Sequence, residues 1–187
     1  MLDGSKVAVG DVVLGLASTG LHSYGFSLVR RIVEQSGLGY DAPAPFAPGQ
    51  SLGDALLTPT RLYVSGCLAA IKAGGVHALA HITGGGLLEN VPRVLPKGTS
   101  VEIDAASWRL PPVFGWLMRQ GKIPAMEMAR TFNCGIGMVV IASPDKLQKL
   151  QQILRKTGET GSVIGRVVAS TEPPHTKLLN AEKQWPG

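Results

Sequence analysis

The stretch His81-Ile-Thr-Gly-Gly-Gly-Leu-Leu-Glu-Asn90 constrains this chain most, because it sets three consecutive glycines between apolar segments of different period. Upstream, Val76-His-Ala-Leu-Ala-His-Ile82 is apolar enough for a buried strand. Downstream, Leu87 to Leu95 carries apolar residues at near-helical spacing. The segment reads as strand, tight turn, helix. Glycine at such a turn permits positive φ and lets another group approach the backbone closely. The first N–H groups of a helix lack intrahelical partners, so Gly84, Gly85 and Gly86 form a candidate phosphate seat. Thr83 would add a hydroxyl there and His81 a titratable donor. A structural turn without any ligand needs the same glycines, and spacing alone does not separate the two readings.

The remaining chain alternates between strand and helix patterns. Asp11 to Ala17 is almost wholly apolar, as suits a strand buried on both faces. It ends in Ser18-Thr-Gly-Leu-His-Ser-Tyr-Gly25, a second turn rich in glycine and hydroxyls. A helix follows from Phe26 to Gln35, with Gly37 as its stop. After a proline-rich loop, Leu52 to Leu57 forms a short helical turn, and a longer helix runs from Arg61 to Ala73. Beyond the glycine turn come a strand at Ser100 to Asp104 and helices at Pro112 to Leu117 and Met126 to Thr131. Gly135 to Ala142 is a strongly apolar strand, and Pro144 to Lys156 an amphipathic helix. Val163 to Ala169 is a last strand. The polar, proline-bearing tail from Thr171 is expected to be loosely held. Helices of unequal length and number separate the strands. That pattern favours an α+β layered mixed sheet over a regular Rossmann repeat. Neither Gly-x-Gly-x-x-Gly at a strand-to-helix turn nor Gly-x-x-x-x-Gly-Lys is present.

Composition removes several classes of function. The net charge of +5 is scattered without a basic run, and aromatics are only 5%, so no nucleic-acid surface is expected. Cys67 and Cys134 lie far apart, with no second ligand at metal-binding spacing, and read as reduced, buried thiols. No signal peptide opens the chain and no apolar run suits a bilayer, so a soluble, cytoplasmic protein without membrane contact is expected. Acidic residues stand singly, not clustered as carriers of Mg²⁺ and ATP phosphates are, and no metal site is expected.

The chemistry gathers in three turns: Ser18 to Gly25, His81 to Asn90, and Asn133-Cys-Gly-Ile-Gly137. In layered folds such turns tend to converge at one edge, where ligands bind. His22 reads either as a phosphate donor or acid/base, or as a histidine merely bonded to backbone. Asn133 either presents its amide to a ligand or holds its own turn. Asn90 and Glu89 lie one helical turn past the glycines, where Glu89 can instead pair with Arg93. Cys134 has no evident base and is a poor nucleophile.

Four ordered motifs now carry a resemblance. They are Gly10-Asp-Val-Val-Leu-Gly-Leu-Ala-Ser-Thr-Gly-Leu-His-Ser23, Leu56-Leu-Thr-Pro-Thr-Arg61, His81-Ile-Thr-Gly-Gly-Gly-Leu-Leu-Glu-Asn-Val-Pro-Arg-Val-Leu-Pro96 and Arg130-Thr-Phe-Asn-Cys-Gly-Ile-Gly-Met138. Together they closely resemble the aminoimidazole ribonucleotide synthetase family, also called phosphoribosylformylglycinamidine cyclo-ligase, from Gly10 to Ala169. The resemblance implies an ATP-dependent ligase of purine biosynthesis that closes the imidazole ring of formylglycinamidine ribonucleotide. It further implies a C-terminal domain at 11–170, a linker remnant at 1–10 and a tail at 171–187. ATP and Mg would be bound mainly by a missing N-terminal domain, which also forms the homodimer, so this chain alone is expected to hold no cofactor and to be inactive. The resemblance is also compatible with a longer, multifunctional parent enzyme.

Carried over by position, His22 and His81 are the implied catalytic residues. Ser18, Thr19, Gly20, Ser23, Thr83, Gly84, Gly85, Gly86, Asn90, Asn133, Gly135 and Gly137 are the implied substrate-binding residues. Tyr24 departs from the pattern, which has Asn there. The alternatives are a non-catalytic ribonucleotide-binding module and another ATP-dependent member of the superfamily.

Overall fold

Val13, Leu14 and Leu16 of β1 (Val12–Ala17) are all fully buried although they point to opposite faces, and the structure supplies the reason. The computed structural model describes residues 2–186, and in it β1 is an inner strand of a six-stranded sheet. The other strands are β2 (Val76–His81), β3 (Thr99–Asp104), β4 (Ile136–Ala142), β5 (Gly161–Ala169) and β6 (Thr176–Leu179). They lie in the order β2-β4-β1-β5-β3-β6. All neighbours are antiparallel except β3 and β6, which run parallel, so the sheet is mixed as expected.

Helices cover both faces, which is why the inner strands show no polar alternation. On one face Leu14 and Leu16 pack with Cys67 and Ala70 of α3 (Val64–Ala73) and with Leu150 and Leu154 of α7 (Leu147–Lys156). On the other, Val13, Val139 and Ile164 meet Leu87 of α4 (Gly86–Asn90) and Val91 beyond it. A third cluster joins α1 (Phe26–Ser36), α2 (Leu52–Leu56), α5 (Pro112–Gly121) and α6 (Ala125–Thr131) around Ile32, Leu52, Phe114 and Phe132. Gly37 stops α1 in the left-handed conformation, as its position suggested.

Three expectations need correction. Helix α3 begins at Val64, not Arg61, because the Arg61 N–H turns toward the His22 ring and its guanidinium toward Glu159. Helix α4 is only five residues long. Pro92, which has no N–H to donate, tightens the chain into a 3₁₀ turn over Val91–Val94.

The tail is not loose. It supplies β6 on the open edge of β3, then α8 (Ala181–Gln184), and Trp185 is only 3% exposed against Trp108. The apolar residues that anchor it are too sparse to make a periodic pattern. What orders it is an unpaired strand edge elsewhere in the chain. Thr176 donates its hydroxyl to the Leu87 carbonyl at 2.9 Å, joining the tail to α4. Thr176→Val is expected to lower stability by about 1 kcal/mol in urea denaturation. Ahead of β1, Val7 is buried and the Gly10 N–H donates to Val167 O at 3.0 Å. No helix among the described residues is long and apolar enough to cross a membrane.

Candidate functional site

Because β4 runs antiparallel to both β1 and β2, the end of β1, the end of β2 and the start of β4 fall at the same edge of the sheet. Ala17 pairs with Ile136 and His81 with Met138. The three turns singled out in the sequence therefore meet.

The first and third interlock through one amide. Asn133 is buried, and its Oδ1 accepts from Ser18 Oγ at 2.9 Å and from the Gly135 N–H at 2.8 Å. Its Nδ2 donates to Gly20 O at 2.7 Å, and the Ser18 N–H donates to Gly135 O. The Asn133 amide thus faces its own loops. Asn90 does the same in the second turn, accepting from the Thr83 N–H at 2.8 Å and donating to Gly84 O at 3.5 Å.

His22 sits at the centre, 4% exposed and in the left-handed region at φ +59°. Its Nε2 accepts from the backbone N–H groups of Thr19 at 3.2 Å and Arg61 at 3.5 Å. With Nε2 an acceptor, the network assigns the ring proton to Nδ1, and that buried atom has no partner. Burial, and then the positive charges of His81 and Arg61, push the pKa down to about 4. At neutral pH His22 is an uncharged N–H donor.

Tyr63, buried at the start of α3, stands 6.2 Å from His22 and 6.3 Å from His81, ring centre to ring centre. Its hydroxyl donates to Ala17 O at 2.8 Å, and burial pushes its pKa up. Gly137 lies under this group. A Cβ there would collide with the Tyr63 hydroxyl and come within 2.6 Å of the His22 ring.

His81 is exposed where β2 ends. Beside it Thr83 is half-buried, Gly84 exposed, and Gly85 and Gly86 take φ of +111° and +59°. The dipole of so short a helix as α4 adds little to anion binding. The Gly86 N–H donates to Thr83 O at 3.0 Å and Gly86 is buried, so what this turn offers an anion is the backbone of Gly84 and Gly85 and the His81 ring. Tyr24, the departure from the resembled pattern, lies over Gly84, with its ring 3.7 Å from where a Cβ would stand.

Residues 58–61 strap the first turn down. Thr19 Oγ1 donates to Pro59 O at 2.8 Å, and the Ser23 and Thr60 hydroxyls lie 3.0 Å apart. Arg61 Nε reaches buried Glu159 at 2.9 Å, and its Nη2 donates to Gly158 O. Arg61 was visible in the sequence only as part of a resembled motif. Tyr63 and Glu159 carried no local signal, since they arrive from the start of α3 and from the residues ahead of β5.

The carboxylates of this edge do not fit a magnesium-bound triphosphate. Glu159 is turned to Arg61, while Glu89 lies 3.8 Å from Arg130 and does not pair with Arg93 as the helical spacing allowed. Among the described residues no three His, Cys, Asp or Glu side chains are grouped to hold a metal ion. Cys134 is fully buried, and burial pushes its thiol far up, which removes it as a nucleophile.

Residues 8–175 match the family model described as AIR synthase related protein, C-terminal domain. Solved structures share the fold. Thiamine-monophosphate kinase from Stenotrophomonas maltophilia K279a aligns with TM-score 0.65 and 18% identity, over 94% of this chain and 52% of its own. HypE, a hydrogenase maturation protein of E. coli, aligns with TM-score 0.58 and 18% identity, over 95% and 49%. Phosphoribosylformylglycinamidine synthase II from Thermotoga maritima aligns with TM-score 0.54 and 16% identity, over 96% and 25%. The chain spans about half the length of the first two.

Proposed function

The chain belongs to the AIR synthase related protein, C-terminal domain family, and from that premise we propose that it is the ribonucleotide-holding part of an ATP-dependent enzyme. The four motifs favour the phosphoribosylformylglycinamidine cyclo-ligase, which closes an imidazole ring on formylglycinamidine ribonucleotide. The observation that carries the proposal is the convergence of three glycine-bearing turns on a neutral, buried histidine whose Nδ1–H has no partner.

In this reading Thr83, Gly84 and Gly85 receive the substrate phosphate, with His81 beside them, while Gly86, buried against α6 with its N–H donated to Thr83 O, holds the turn in place. Ser18, Thr19, Gly20, Ser23, Gly135 and Gly137 shape the wall that faces the reacting amide. Asn90 and Asn133 hold those walls in position. His22 serves as a hydrogen-bond donor and not as a base, because its Nε2 is already engaged and its charged form is disfavoured. His81, exposed at the end of β2, is the imidazole placed to reach the substrate. In this reading ATP and Mg are assigned to a domain outside these residues, which fits the turning of Glu159 and Glu89 to arginines.

Calorimetric titration tests this. Formylglycinamidine ribonucleotide is expected to bind and Mg-ATP not to bind. His81→Ala should weaken the ribonucleotide about tenfold, the loss of one hydrogen bond to the phosphate. Tight Mg-ATP binding to this chain would overturn the division of labour. One observation favours a second reading, another ATP-dependent member of the superfamily. Tyr24 closes over Gly84 where the cyclo-ligase pattern has Asn. Binding of a different phosphorylated substrate, with the ribonucleotide refused, would select it.

A further inference from the structure

A cleft of about 590 Å³ opens between α1 and α2, within the size range of small-molecule sites. Phe26, Val29, Leu56 and Leu57 make its walls, and Arg30 and Tyr40 stand with them. Two of its apolar surfaces face water: Leu57 is 70% exposed and Tyr40 49%. Arg30 is exposed and makes no salt bridge among the described residues. The cleft is therefore apolar with one free cation.

Its frame is built and not incidental. The Gly53 N–H donates to Tyr40 O at 2.8 Å, the Leu52 N–H to Ala42 O at 2.8 Å, and Pro43 bridges to Ser51. Gly53 keeps the floor open. Gly53 is part of the lining, and a Cβ there would already lie 3.2 Å from Tyr40 O. Ser23 lines the same cleft, and its hydroxyl meets Thr60, so the cleft shares a loop with the histidine site without including either histidine.

We propose that this cleft is a second small-molecule site, and that it takes an aromatic or heteroaromatic ring bearing one acidic group. The ring lies among Phe26, Leu56, Leu57 and Tyr40, where burying flat apolar surface drives binding. The carboxylate or phosphate pairs with the Arg30 guanidinium, whose planar fork matches either anion. Apolar walls alone would accept a neutral ring equally well. The unpaired guanidinium is what specifies the anion. The cleft meets the proposed ribonucleotide wall only at Ser23, and its apolar walls and Arg30 play no part in that reading.

The test is an amide NMR titration of the chain with 1-naphthoate, run beside neutral 1-naphthalenemethanol and inorganic phosphate. Saturable shifts are expected at Arg30, Gly53 and Leu57, with a Kd on the order of 1 mM for a ligand of this size. Arg30→Glu should weaken naphthoate about tenfold or more, Arg30→Lys less, and Gly53→Leu should block it. Arg30 is exposed on α1, so its variants keep the fold. Inorganic phosphate should leave these amides still, so a failure of the glycine-turn reading appears separately. Equal affinity for the neutral alcohol, binding that survives Arg30→Glu, or shifts confined to the glycine turns would each overturn the proposal.

Discussion

Gly86→Ala is expected to destabilise the protein by about 2–5 kcal/mol, combining left-handed strain with overpacking. In a chain of this length that lowers the melting temperature by roughly 4–20 °C. Gly86 takes φ +59°, which costs any residue with a Cβ. The added Cβ would also run into the Ala129 carbonyl oxygen, with the Phe132 carbonyl oxygen 2.9 Å away. Both obstacles are main chain at the end of α6, so no side-chain rotation relieves them. Gly98→Ala isolates the strain alone, since Gly98 has φ +84° but nothing within 4 Å of its Cβ position. Calorimetric melting should show the Gly98 variant within about 1–2 kcal/mol of the parent and the Gly86 variant well below it. Equal losses would mean that the close approach of α4 to α6 is not the constraint. On the proposed reading the Gly86 variant should also weaken ribonucleotide binding, because the second turn can no longer sit against the end of α6, which leads into the third turn.

The second large effect is a dependence on pH that passes through His22. Its pKa is 6.5 when unperturbed and about 4 in the folded protein. Between those values the unfolded chain binds a proton that the folded one refuses. Stability is therefore fully present above pH 6.5 and is lost as pH falls toward about 4. The slope approaches 1.4 kcal/mol per pH unit, and the total reaches up to about 3 kcal/mol. His22→Asn removes the titrating ring and keeps a residue type that tolerates positive φ. Urea denaturation at several pH values between about 7 and 4.5 should show the variant losing less stability than the parent as pH falls. Other carboxylates and histidines titrate in both proteins and cancel in that difference. Parallel pH profiles would show that His22 is not buried as a neutral donor.

Much of the site was legible because its composition is local. A triple glycine between a strand and a helix, or hydroxyls crowded after an apolar strand, marks a turn whatever surrounds it. The type of residue at 90 and 133 was legible too, but its partner was not. An asparagine that holds a loop and one that holds a ligand look alike until their hydrogen bonds are traced, and here Asn133 bonds to Ser18, Gly20 and Gly135. Glu89 shows the same limit. Helical spacing pointed to Arg93, while α6 brought Arg130 alongside.

Residues close together in the chain set the elements and the turns, because backbone preference and hydrophobic period act between near neighbours. The same local patterns mark β1 as buried on both faces, Gly37 as the stop of α1, and three turns as the places where glycines, hydroxyls and amides gather. Tertiary structure alone decided that those turns meet, since this required β4 to lie between β2 and β1 and run against both. It also decided that Tyr63, Arg61 and Glu159 hold the histidine centre, and that a polar tail becomes an ordered edge strand. Each of those outcomes depends on a surface made by residues far away in the chain, and no local pattern records what a distant surface will offer.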